Sequence, residues 1–406
     1  MVAAGVAIGA CLAVVLVVWF LQLRTPRRVR WRPTAIDGLR AAVADDLVLQ
    51  HDDGHTVWAS RGFTIYRSQA GGPFERAFRV RPPLGKAWAG YLAGLRSRFG
   101  YQELVEVLPL GNERFVVFAG GGVHRVDLTA QEIERTHSLR YFGPGKGRGL
   151  MAFGVTRDSH GAIYYGEYTT EPGTHPISIW KSSDEGRSWQ EAFEFPAGTV
   201  RHIHTVQFDP YDGAIWVGTG DRDEHCYVGV SHDGAATFRW IVEGSQECRT
   251  CGFAFFPDVV LWGMDADFKT NHLIRLQRDK GTINSREHLP DATYYHRKLD
   301  ESHALLGLAQ DVVEIWVANA EGDACRWLGW SIPPGARRGP SPAVRLGRGD
   351  SAEEAEGFVH LNPLRTIEHE AAIFRIPKSA VPHPPSSALA HPRSSERAAE
   401  GHEVRP

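Results

Sequence analysis

Between about residue 45 and residue 377 the chain alternates short apolar runs with turn-forming residues. One series of runs has the form apolar-apolar-aromatic with Gly close behind. It comprises AIYYGEY from Ala162, AIWVGTG from Ala214 and VVLWGMD from Val259, with looser copies RFVVFAGG from Arg114 and HTVWASRG from His55. A second series follows each of these: FTIYRS at 63, GVHRVD at 122, ISIWKS at 177, YVGVSH at 227 and HLIRLQ at 272. VEIWVAN at 313 and AIFRIP at 372 are later candidates. Runs this short, rich in β-branched and aromatic residues and punctuated by Gly, predict strands. Their recurrence every 45–60 residues or so is the size of a four-stranded propeller blade. The expected fold is therefore all-β, a propeller of seven blades over 45–377, with six blades as the alternative. A β-sandwich followed by a second β domain explains the even spacing less well.

Composition agrees with this pattern. Twelve Trp and 43 Gly favour strands and tight turns over long helices. A net charge of −3 carries no basic footprint, so no nucleic-acid partner is expected. The two ends read differently from the body. Val2 to Leu23 holds no charged residue and is long enough to cross a bilayer as a helix. The basic residues Arg24, Arg27, Arg28, Arg30 and Arg32 follow it. The expectation is a single-pass membrane anchor at 1–23 and a basic linker at 24–44, with the body on the cytoplasmic side by the positive-inside rule. Pro, Ser, Ala and charge dominate 378–406, which reads as a disordered tail, and 332–357, which reads as an exposed insertion.

Within the repeats, KSSDEGRSW at 181–189 resembles the Asp-box, or BNR repeat, of sialidase-like propellers, S/T-x-D-x-G-x-T/S-W. Ser182, Asp184, Gly186 and Trp189 match it, with Ser188 at the Ser/Thr position. SHDGAATF at 231–238 is a near copy carrying Ser231, Asp233 and Gly234, with Gly shifted by one. RSQAGGPF at 67–74 is a more decayed one. The turn chemistry is intelligible. Asp accepts hydrogen bonds from its own loop, Gly adopts a conformation other residues resist, and the aromatic packs between sheets. The resemblance implies a structural corner between the third and fourth strands of a blade, not a catalytic element. Phe374-Arg375-Ile376-Pro377 spells the sialidase motif whose Arg binds a carboxylate, but it lies in the closing strand instead of the first blade.

Loops in an up-and-down blade alternate between two faces, so the ionisable segments should gather opposite the Asp-boxes. Candidate catalytic residues there are Glu167, Tyr168, His202, His204, Asp221 and Tyr295. Candidate ligand-binding residues are Arg201, Arg249, Arg297 and Asp265. His202 and His204 point the same way on an extended strand. No third metal ligand is visible in their local spacing, so no metal site and no cofactor is expected. Cys248-Arg-Thr-Cys251 is a lone CxxC, read with Cys226 and Cys325 as buried thiols or one disulfide.

Arginines around a polar cup suit a carboxylated sugar, because guanidinium meets carboxylate in a two-pronged fork. A hydrolase would pair Glu167 with Asp221. Glu167–Tyr168 is similar to the sialidase pair in which a carboxylate activates a phenol. A lyase would use His202 or Tyr295 as base beside an arginine. The alternative is a non-catalytic propeller that binds glycan or protein.

Overall fold

The computed structural model describes residues 26–81, 104–143, 145–266, 270–335, 341–349 and 357–385. These residues form strands, turns and three short 3-10 segments, with no α-helix among them. Consecutive strands pair antiparallel into a chain-ordered series of sheets. The first holds Val48–Asp52, Thr56–Arg61, Thr64–Gln69 and Phe74–Arg79; the second Leu104–Gly111, Arg114–Ala119, Gly122–Asp127 and Glu132–Ser138. The third holds Val155–Arg157, Ile163–Gly166, Ile177–Ser182 and Gln190–Phe195; the fourth His202–Phe208, Ile215–Gly220, Tyr227–Ser231 and Arg239–Glu243. The fifth holds Ala254–Phe255, Val259–Gly263, Asn271–Gln277 and Thr282–Leu289; the sixth Ala292–Lys298, His303–Ala309, Val313–Asn319 and Ala324–Trp330. The seventh holds Ala343–Leu346, Phe358–Leu364 and Ile373–Pro377, and is completed by Leu39–Ala44 from the other end of the chain. One pairing, Ala309 with Ala343, links the sixth and seventh.

Burial falls from the first two strands of a sheet to the last. Ile215–Gly220 is buried at every position, whereas Glu132–Ser138 has no fully buried residue. This explains why the inner strands read as continuous apolar runs and the outer ones as polar. Apolar clusters fill each gap between neighbouring sheets. Trp58 and Ile65 meet Val107 and Phe115, Phe118 meets Ile163 and Tyr165, and Ile179 meets Ile203 and Val217. Trp216 meets Phe253 and Trp262, Leu261 meets Leu306, and Leu305 meets Val344 and Phe374. Finally Ala44 and Ile373 of the seventh sheet meet Leu49 and Val57 of the first. Each fully buried large side chain contributes roughly 1.5–3 kcal/mol, so these interfaces hold the sheets in order. The arrangement is all-β and consistent with a propeller.

Both Asp-box corners have the expected internal bonding. Ser182 Oγ donates to Asp184 Oδ1 at 2.8 Å, and Gly186 N donates to Ser182 Oγ at 2.8 Å. Ser188 donates from N and Oγ to the two Asp184 oxygens at 2.9 and 2.6 Å. The second corner repeats this with Ser231, Asp233, Ala235 and Thr237 at 2.6–3.0 Å. The shifted glycine has a physical reason. Each corner has two successive residues with positive φ, Glu185 and Gly186 in one, Gly234 and Ala235 in the other. At the second of these positions a Cβ on Gly186 would come within 2.6 Å of Val116 on the neighbouring sheet. Trp189 packs between the second and third sheets, its ring 6.1 Å from Phe118 and 5.3 Å from Tyr165.

Several expectations are corrected. Within the expected linker 24–44, Arg28–Val29, Arg32–Ile36 and Leu39–Ala44 are strands, and the last pairs Val43 with Phe374. The expected insertion 332–357 contains Ala343–Leu346, a fully buried strand. The apolar segment 2–23 lies outside the described residues, as does the tail from 386. Among the described residues no helix is long and apolar enough to cross a membrane. The single-pass membrane location, with its cytoplasmic body, is withdrawn.

Candidate functional site

The inner strand of the fourth sheet begins at His202, paired with Gly220. A bulge between Ile203 and Thr205 leaves His204 out of the ladder, and both imidazoles face the same side, as their spacing of two predicts. Their Nε2 atoms lie 2.8 Å apart. Gly220 permits this, since a Cβ there would meet His204 Cε1 at 2.6 Å. Asp221 follows directly. Its Oδ1 is 3.3 Å from His202 Nε2, 3.5 Å from His204 Nε2 and 3.3 Å from Arg249 Nη2, while Arg201 donates to Oδ2. Burial opposes charge on Asp221, but these donors outweigh it and hold its carboxyl well below the usual range.

The connection into the fifth sheet brings Arg249 and Cys251 alongside. Asp265, just after Val259–Gly263, fixes itself by donating its N–H to Arg249 O at 2.9 Å. Arg249 Nε lies 3.4 Å from Asp265 Oδ2. Cys251 Sγ sits 3.7 Å from His204 Nδ1 and 3.4 Å from Asp265 Oδ2. From the third sheet, Tyr168 stacks its ring 4.2 Å from that of His202. Burial pushes the Tyr168 phenol up to about 12 and His204 down to about 4, so both are neutral at pH 7.

Tyr168, Arg201, His202, His204, Asp221, Arg249 and Asp265 thus meet at the same end of three consecutive sheets. Asp184 lies at the other end, because Ser182 pairs with Ile163 at the start of the strand that leads towards Tyr168. Three other sequence candidates do not join the group. Glu167 points to the opposite side of its strand from Tyr168. It accepts from Arg140 Nε at 2.9 Å, Ser178 N at 2.9 Å and Trp180 Nε1 at 3.0 Å, and burial raises its pKa. Arg297 lies six residues into Ala292–Lys298 and reaches the far end of the sheet, where it pairs with Asp52 at 3.0 Å. Tyr295 packs edge-on against Phe153.

Between these elements lies a cavity of about 450 Å³, lined by Tyr168, Cys251, Tyr294, Tyr295, Arg148, Arg345 and Arg365 among others. Arg345 Nη2 donates to Gln50 Oε1 at 2.9 Å and lies 3.4 Å from Glu106 Oε2, which fixes it in place. Sequence reasoning missed the three arginines because they come from sheets far apart in the chain. It missed Tyr294, which lines the cavity together with Tyr295 beside the bulge between Thr293 and Tyr295. All four described cysteines are free thiols, and Cys251 belongs to the site. Two triplets of side chains have donor atoms close enough to share a cation: His202, His204 and Asp221; and His204, Cys251 and Asp265. The ligand absent from the local spacing of the histidines comes from neighbouring loops.

No family model matches the chain, so the Asp-box corners stand without family membership, and no curated protein matches its sequence. Solved structures do resemble it. Oligogalacturonate lyase from Vibrio parahaemolyticus is similar with a TM-score of 0.52 at 10% identity, covering 87% of this chain and 98% of that one. The extracellular domain of a hybrid two-component system from B. thetaiotaomicron is similar with a TM-score of 0.50 at 10% identity. That match covers 85% of this chain and 39% of the other. At such identity the likeness concerns the fold.

Proposed function

We propose that the chain is a seven-bladed β-propeller that binds an acidic oligosaccharide in the cavity between its inner strands. One observation carries the reading: Arg148, Arg345 and Arg365 share the wall of a cavity of about 450 Å³ with Tyr168, Tyr294 and Tyr295. Guanidinium groups pair with sugar carboxylates in a planar fork, and aromatic rings stack on sugar faces, the combination a uronate oligomer requires. The Vibrio protein of similar fold is named for an acidic oligosaccharide, which supports the same ligand class. The hydrolase pairing is not retained, because the Glu167 carboxylate is bound to Arg140, Ser178 and Trp180 on the other side of its strand.

Binding of oligogalacturonate to the full chain, followed by calorimetry, tests this. Arg148→Ala and Arg365→Ala, both at half-buried positions, are expected to weaken binding by about tenfold or more each, the loss of one charge-assisted contact. A neutral galactose oligomer should not bind. Failure of every acidic oligomer to bind, or binding indifferent to both substitutions, overturns the proposal. A second reading, proton abstraction beside the bound carboxylate, is favoured by the neutral imidazole of His204, which contacts Cys251 on the cavity wall. Its readout is ultraviolet absorbance from an unsaturated sugar product; none with wild-type protein leaves a binding protein.

A further inference from the structure

The hydrogen-bond polarity of the two histidines is fixed from outside. His202 Nδ1 lies 2.6 Å from Thr169 O, and a carbonyl only accepts, so the proton is on Nδ1. His204 Nε2 lies 3.5 Å from Asp221 Oδ1, and a carboxylate only accepts, so the His204 proton is on Nε2. His204 Nδ1 then carries the lone pair, and it faces Cys251 and Asp265. Orientation of an imidazole by a partner at its other nitrogen is how metal-binding histidines are prepared.

We propose that His204 Nδ1, Cys251 Sγ and Asp265 Oδ2 form a zinc-binding site at the cavity wall. The three atoms are separated by 3.5, 3.7 and 3.4 Å. In a tetrahedral zinc centre, bonds of about 2.0–2.1 Å to nitrogen and oxygen and about 2.3 Å to sulfur put ligand atoms roughly 3.3–3.6 Å apart. The triplet therefore sits near the edges of such a tetrahedron. The competing triplet does not: its two imidazole nitrogens are 2.8 Å apart, shorter than any such edge. Charge also balances. Thiolate and Asp265 neutralise a divalent ion, and Arg249, whose Nε also lies 3.4 Å from Asp265 Oδ2, keeps its Nη2 contact with Asp221. Binding releases the Cys251 proton to solvent, and no redox step is involved. Three protein ligands leave a fourth position, and Cys251 lines the cavity beside Tyr168 and Tyr294, so that position opens inward. The site does not rest on the oligosaccharide reading.

Zinc and cobalt(II) alone are the probes, used on the full chain. One equivalent of zinc should bind, and cobalt should show a thiolate charge-transfer band. Cys251→Ser should abolish the band, and it and Asp265→Asn should each lower zinc affinity by about 100-fold or more. Cys226→Ser and Cys248→Ser should leave both properties unchanged. No stoichiometric zinc, a cobalt spectrum without the thiolate band, or wild-type affinity in Cys251→Ser overturns the proposal. X-ray absorption of the zinc-loaded wild type decides the case even if a variant fails to fold. One sulfur among the ligands is expected; none, or two, refutes this ligand set.

Discussion

Two buried groups of the same residue types occupy opposite ends of the sheets. At the end shared with the Asp-boxes, Asp52 accepts from Arg297 Nη1 at 3.0 Å and from Gly54 N at 3.0 Å, and lies 3.0 Å from His360 Nδ1. Donors meet acceptors at hydrogen-bond distance, and the group braces the first, sixth and seventh sheets. At the other end His204, Cys251 and Asp265 set acceptors and a thiol against one another at 3.4–3.7 Å. Aspartate, arginine and histidine make a brace when donors meet acceptors at hydrogen-bond distance; the wider 3.4–3.7 Å spacing at the other end is the room the proposed ion would use.

The largest way to break this contrast is Asp52→Ala. Removing one partner of a buried ion pair should cost about 3–5 kcal/mol of unfolding free energy in denaturant titrations at pH 7. Burial opposes charge on Asp52, but Arg297 and His360 hold its carboxyl below the ordinary carboxylate range. Its contribution is therefore complete above the unfolded pKa of about 3.9 and is lost as pH falls further. The penalty of the substitution should shrink towards pH 2. An equal penalty at pH 7 and pH 2 would remove the brace from the account. The next effect sharpens the other side. Zinc at a hundred times its dissociation constant should stabilise wild type by about 2.7 kcal/mol and leave Cys251→Ser unmoved. A thermal scan with and without the ion measures it. The smallest effect compares the two corners. Gly186→Ala forces a Cβ against Val116 at positive φ and should cost roughly 1–2 kcal/mol, whereas Ala235→Gly should change stability by only a few tenths. Equal losses would mean that packing against the second sheet does not select the glycine.

Local pattern reached as far as local physics extends. Ile215–Gly220 was legible because a strand buried at every position reads as an apolar run, and the Asp184 corner because its bonds lie within seven residues. Strand length was harder: placing Arg297 in an ionisable segment opposite the Asp-boxes put it at the wrong end of the seven-residue strand Ala292–Lys298. The bulges at His204 and Tyr294 are tertiary adjustments that alternation does not show. Leu39–Ala44 looked like linker because its partner Ile373–Pro377 lies more than three hundred residues away, and pairing at that distance leaves no periodic trace.

That pairing has a temporal consequence. On the ribosome the earliest part of the seventh sheet must wait, with an open hydrogen-bonding edge, until residue 377 has emerged. Such exposed edges recruit other chains, and among the described strand pairings the closing contact spans the most chain and so carries the greatest loop-closure entropy. Chaperone demand should therefore peak late in synthesis, and a nascent chain stalled before residue 373 should aggregate where the released one does not.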